Sequence, residues 1–168
     1  MHQLLTIAAA LLPLLLQAKE NPEFGYWSEH KTGSWVKLKM DMDAQGAKIS
    51  VEATHTLGEI TADKVVIERK NKVTVNGAAQ PEGTEKEDVF KDPAKDKNPV
   101  TIDKEGDEEI EVAGKKMKCH WIEGTQKDKT KVKFWLSKEI PGGIAKGEVS
   151  GGELPGLMKM TILSWEKK

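Results

Sequence analysis

The chain is poor in the residues that staple folds and grip anions. It has one cysteine, Cys119, and one arginine, Arg69, in 168 residues. A lone cysteine cannot close an internal disulfide, so stability must come from a packed core. With arginine nearly absent, bidentate recognition of phosphate or carboxylate is scarce, because lysine presents a point charge rather than a fork. Charge of one sign is also missing. Charged residues make up 32% of the chain, yet the formal net charge is only −1, so no basic surface is implied and nucleic acid is not expected as a partner.

Catalytic motifs are equally thin. There is no G-x-S-x-G elbow and no H-E-x-x-H pair. The stretch GGIAKGEVS keeps two glycines at P-loop spacing, Gly142 and Gly147, but Glu148 stands where the lysine is required. His30, His55 and His120 show no ligand spacing, and the abundant carboxylates offer no distinguishable acid–base pair. The sequence is therefore expected to carry no catalytic residues, no metal site and no cofactor.

One long apolar run exists, at the start. Leu4 to Leu16, within MHQLLTIAAALLPLLLQA, is uncharged, long enough for the core of a signal peptide and short for a membrane span. Residues 1–18 read as a leader cleaved after Ala18, and residues 19–168 as one exported domain, secreted or periplasmic. The alternatives are a buried helix or an uncleaved anchor.

Beyond the leader the dominant pattern has period two, the mark of strands with one buried face. In GSWVKLKMDM, Val36, Leu38, Met40 and Met42 share one side, while Trp35, Lys37, Lys39 and Asp41 share the other. Similar runs recur through AKISVEATH, DKVVIERK, KVTVNG, EEIEVAG, KKMKCHWIE, KVKFWLS, GIAKGEVS and LMKMTILSW. The expectation is a mainly β fold of about nine antiparallel strands, an open barrel or a sandwich. Residues 77–107 are polar and rich in Lys, Asp, Glu and Pro, and read as a long surface excursion. Within it, Thr84 and Glu87 have the spacing of a capping box, which suggests a short helix.

Cys119 stands beside His120, a pairing that invites a catalytic reading. Alternation separates them: Met117, Cys119 and Trp121 point one way, Lys116, Lys118 and His120 the other. A free cysteine on an apolar face behaves as a small hydrophobe. The pairs Met40/Met42 and Met158/Met160 also present thioethers on one side. Soft sulfur favours Cu(I), but methionine more often fills an irregular core. A third reading is an apolar surface formed by Met40, Met42, Met117, Cys119, Trp121, Met158 and Met160, open to a lipid-like ligand. The stretch DMDAQGAKISVE matches most of a calcium loop, yet both flanks alternate as strands, so Asp43 to Gly46 reads as a hairpin turn with Gly46 at positive φ.

From Glu108 onward, EEIEVAGKKMKCHWIE followed by KVKFWLSKEIPGGIAKGEV resembles small uncharacterised secreted β domains. More distantly it resembles the half-barrel of lipoprotein carriers, in which a curved antiparallel sheet wraps apolar cargo. That resemblance implies a non-enzymatic protein binding an apolar or lipid-like ligand. The alternative is a structural or protein-interaction module of the cell envelope, with an envelope protein as partner and no small-molecule ligand.

Overall fold

The computed structural model describes residues 21–44, 46–92, 100–126, 128–152 and 156–168. The expected leader lies outside the described residues. A short helix, α1 (Pro22–Ser28), precedes β1 (Trp35–Ala44), β2 (Ala47–Ile60), β3 (Lys64–Val75), β4 (Ala78–Ala79) and β5 (Gly83–Phe90). There follow β6 (Val100–Val112), β7 (Lys115–Gln126), β8 (Thr130–Leu136), β9 (Ile144–Gly151) and β10 (Met158–Glu166). The ten strands among the described residues belong to one unclosed antiparallel sheet, ordered β4-β3-β2-β1-β10-β9-β8-β7-β6, with β5 also on β3. It is two meanders, β1 to β5 and β6 to β10, joined where β1 meets β10.

Alternation explains the sheet. Side chains of directly opposed residues share a face, so the register defines rows across it. One inward row runs Val51, Met40, Met160, Gly147, Phe134, Ile122, and its neighbour runs Ile49, Met42, Met158, Val149, Val132, Gly124. A single sheet can gather residues from β3 to β10 into one core only by curling around them. On the outer side, Lys104, Glu123, Lys133, Glu148, Lys159 and Asp41 are successive partners, so the signs alternate across six strands. Such exposed pairs each contribute at most about 1 kcal/mol. Their larger effect is on register, because a one-residue slip exchanges wet and greasy faces.

Two expectations are corrected. The polar excursion at 77–107 joins the sheet as β4, β5 and the first part of β6. The capping-box segment is strand: β5 pairs with β3 from Lys64↔Phe90 to Asn71↔Gly83, and the Lys64 ammonium donates to Asp88 at 2.7 Å. The outer edge of β3 offers a ladder of backbone hydrogen bonds, and that tertiary supply overrides a weak local helix signal. The ten strands among the described residues bear out the expected mainly β, antiparallel fold of about nine. DKVVIERK and KVTVNG merge into β3, and β4 and β5 are added.

The turns follow from residue chemistry. Gly46 has φ 86°, as the hairpin reading of that segment requires. Ala113 and Gly114 take φ 47° and 78° between β6 and β7, which is the two-residue turn whose twist suits a hairpin.

Candidate binding site on the inward face

The register brings two pairs of the candidate residues together. Met40 faces Met160 and Met42 faces Met158 across β1 and β10. These four methionines are between 2% and 6% exposed, packed with Leu38, Ile162, Phe134 and their neighbours.

The other three candidates sit elsewhere. β8 and β9 separate β7 from β10. Trp121 opposes Trp135, whereas Ile122 opposes Phe134. Trp121 therefore lies on the side of the sheet away from the Met160–Phe134 row. It is half-buried there, with the Lys133 ammonium 4.7 Å from its ring and 5.1 Å from that of Trp135. Gly106 makes room for it, since a Cβ there would come within 2.9 Å of the indole. Met117 and Cys119 lie beyond Leu136, the last β8 partner, where β6 and β7 continue as a two-stranded arm. Both are buried, Met117 opposite Ile110 and Cys119 opposite Glu108. Burial first, then the charges of Glu108 and Glu139, push the Cys119 thiol up.

The chemistry that sequence reasoning did not single out lies under α1. Asn21 caps this helix by accepting from the Glu23 amide at 3.0 Å, and Pro22 fixes φ in its first turn. Phe24 and Trp27 turn inward and are buried. The turn Pro141-Gly142-Gly143 receives the neighbouring rings: a Cβ at Gly142 would meet Trp27 at 2.7 Å, and one at Gly143 would meet Tyr26 at 2.4 Å. Both glycines have positive φ, 80° and 82°.

Beneath α1 lies a cavity of about 30 Å³, walled by Trp27, Val36, Leu38, Ile144, Met160 and Ile162, with Glu23, His55 and Arg69 as its polar lining. Room of this size suits water-sized guests. Val36, His55 and Arg69 are successive partners across β1, β2 and β3. Arg69 is only 2% exposed. Its Nη2 lies 3.6 Å from a Glu23 carboxylate oxygen and also contacts Glu87. Its Nε and Nη1 are buried and have no hydrogen-bond partner among the described residues. Desolvation, then the Arg69 charge, holds the His55 imidazole down to about 3, so it is neutral at physiological pH. A sequence signal existed. Val65, Ile67 and Arg69 share strand parity, so the one arginine occupies a position that alternation assigns to the apolar side.

Among the described residues no group of three His, Cys, Asp or Glu side chains is gathered to hold a metal ion. On the outer side a groove of about 350 Å³ is bordered by Asp103, Lys104, Glu123, Lys131, Lys133 and Glu148. Its charges offset one another. No helix among the described residues is long and apolar enough to cross a membrane.

No family model matches the chain, and no curated protein is significantly similar to it. Among solved structures, MucB is similar at 15% identity and TM-score 0.40, over 87% of this chain and 57% of that one. MucB in complex with MucA(peri) is similar at 12% identity and TM-score 0.38, over 87% of this chain and 55% of that one. The chain thus spans a little over half the length of these structures. Likeness at this level leaves function to be argued from the residues themselves.

Proposed function

We propose that this chain is an exported, non-enzymatic interaction module of the cell envelope. The observation that carries the reading is the packing of Met40, Met42, Met158 and Met160, at 2% to 6% exposure beside a cavity of only about 30 Å³. Methionines so enclosed act as core, and what the fold presents to a partner is its outer side and its sheet ends. Among those ends, β6 is a 13-residue terminal strand. It carries Asp103, Glu105, Asp107, Glu108, Glu109 and Glu111 against the single Lys104. Edge charge of one sign discourages pairing with a second copy. The same charge favours an extended basic segment adding as a further strand. Export rests on the leader, and the lack of catalysis on the scarcity of suitably placed chemistry in the sequence.

A second reading, an apolar or lipid-like ligand on the inward side, is supported by one feature. Met160, which opposes Met40, lines the cavity beneath α1. Native mass spectrometry of the purified protein separates the two. An intact mass free of adducts is expected for the interaction module. Lipid that co-purifies in stoichiometric amount would reject it in favour of the second reading.

A further inference from the structure

Charge changes sign from strand to strand along the β6–β7 arm, and the alternation stops at an open edge. Lys116, Lys118 and His120 of β7 stand opposite Glu111, Glu109 and Asp107 of β6, and Glu105 continues the acidic row by parity. All of these acids are exposed. Their contacts within the arm come from the β7 side: His120 lies 3.1 Å from Asp107 and 3.5 Å from Glu105, and Lys116 lies 3.8 Å from Glu109. Among the described residues only β7 pairs with β6, so the far side of the row faces no strand.

The turn decides which backbone groups reach that edge. Ala113 and Gly114 form a two-residue hairpin turn, so Val112 and Lys115 flank it as a hydrogen-bonded pair. Bonded and non-bonded pairs then alternate down the arm. Glu111, Glu109, Asp107 and Glu105 fall at the non-bonded places, and their own N–H and C=O groups point away from β7. From Glu105 to Glu111, about 20 Å of strand, every residue that offers its backbone to the open edge also carries a carboxylate.

We propose that the open edge of β6 docks an extended segment of a partner protein with Lys or Arg at every second residue, which adds to the sheet as a further antiparallel strand. The inference rests on the interaction-module reading above and specifies its partner. Each basic residue lies directly opposite Glu105, Asp107, Glu109 or Glu111 and exchanges both backbone hydrogen bonds with it. Main-chain pairing and charge pairing thus fall at the same positions. The intervening residues turn to the other face of β6, beside Gly106, Glu108 and Ile110. There the Trp121 indole lies against Gly106, Ile110 is partly buried on the core, and the Glu108 carboxylate already accepts from the Trp135 indole at 2.8 Å. Those neighbours suit small or apolar side chains. A second copy does not fit, because antiparallel self-pairing sets acid against acid. The tip of the arm is fastened to β10, where the Lys115 ammonium lies 5.2 Å from the Trp165 ring, so the edge is presented on a fixed support.

The test titrates the full chain with the end-capped peptide K-V-K-T-K-V-K and with K-K-V-T-V-K-K, which has the same composition and charge. Calorimetry is expected to show the alternating peptide binding at least about tenfold more tightly. N-methylation of its lysines, whose N–H groups face β6, should abolish that preference, whereas N-methylation of its valines and threonine should change little. Amide exchange should slow at Glu105, Asp107, Glu109 and Glu111 and stay unchanged at Gly106, Glu108 and Ile110, whose N–H groups β7 already holds. Glu109→Lys should weaken the alternating peptide about tenfold. If that variant does not fold, the two methylated peptides decide alone. Equal affinity for both sequences, or binding of neither, overturns the inference. So does sedimentation as a dimer that Glu109→Lys dissociates, which would give the edge to a second copy. The interaction-module reading survives these outcomes and fails separately, on stoichiometric co-purifying lipid.

Discussion

Met40 and Met160 oppose each other across β1 and β10, the pairing that joins the two meanders into one sheet. Next along the row is Gly147, where a Cβ would lie 3.0 Å from the Phe134 ring and 3.3 Å from the Met160 Cβ. Shortening one side of this row opens a cavity, and enlarging Gly147 overfills it. Met160→Ala should therefore cost about 2–5 kcal/mol of stability, and Met160→Leu less than about 1.5. Gly147→Val should cost about 1–3 kcal/mol by overpacking. Urea denaturation at neutral pH measures all three. A neutral Met160→Ala would mean that the row is not packed as described.

His55 makes stability depend on pH with a definite sign. Its native pKa, about 3, lies below the ordinary 6.5. As pH falls through 6.5 the unfolded chain takes up a proton that the native imidazole refuses, so native stability drops until pH nears 3. Between pH 7 and 4.5 this one group should remove roughly 2–3 kcal/mol. The His30 imidazole is also held low, by burial first and then Lys167. The diagnostic quantity is therefore the slope of wild type minus that of His55→Gln. Matching slopes would show that His55 is not held neutral in the fold.

Cys119 should resist alkylation. It is 2% exposed, and its thiol is pushed up by burial and by Glu108 and Glu139, which disfavours the reactive thiolate. Maleimide should modify the native protein at least roughly a hundredfold more slowly than the urea-unfolded chain, because attack must await local opening. Comparable rates would place the β6–β7 arm away from the body of the protein.

Ala113 holds φ 47° in the turn before Gly114. A Cβ in this left-handed region costs about 1–2 kcal/mol, and glycine or asparagine tolerates it better. Ala113→Gly should raise the melting midpoint, the gain being reduced by the extra freedom glycine gives the unfolded chain. A fall in midpoint would show that the Ala113 methyl makes packing contacts that outweigh its strain.

The inward and outward sides of most strands were legible from alternation alone. Val36, Leu38, Met40 and Met42 are buried as their spacing demands, as are Met158 and Met160. The turns at Gly46, Ala113–Gly114 and Gly142–Gly143 were legible because only a few residues accept positive φ. Trp165 was not. Its parity places it opposite the methionines, yet a register shift between Lys37 and Leu38 sets it against Val36. A bulge inverts parity beyond it and leaves no dependable sequence mark. Nor was β5 legible, because its strand state comes from the edge of β3 rather than from its own residues.

What the amino-acid order determined by itself is local: strand periodicity, turn positions, and the separation of Cys119 from His120 by one step of the pleat. Two matters were decided only in three dimensions. One is the union of distant segments, Met40 with Met160 and Arg69 with Glu23 and His55. The other is the loss of Trp121 from the methionine side. Periodicity says which way a side chain points relative to its own strand. Only the register between strands, and the curl of the whole sheet, says what it points at.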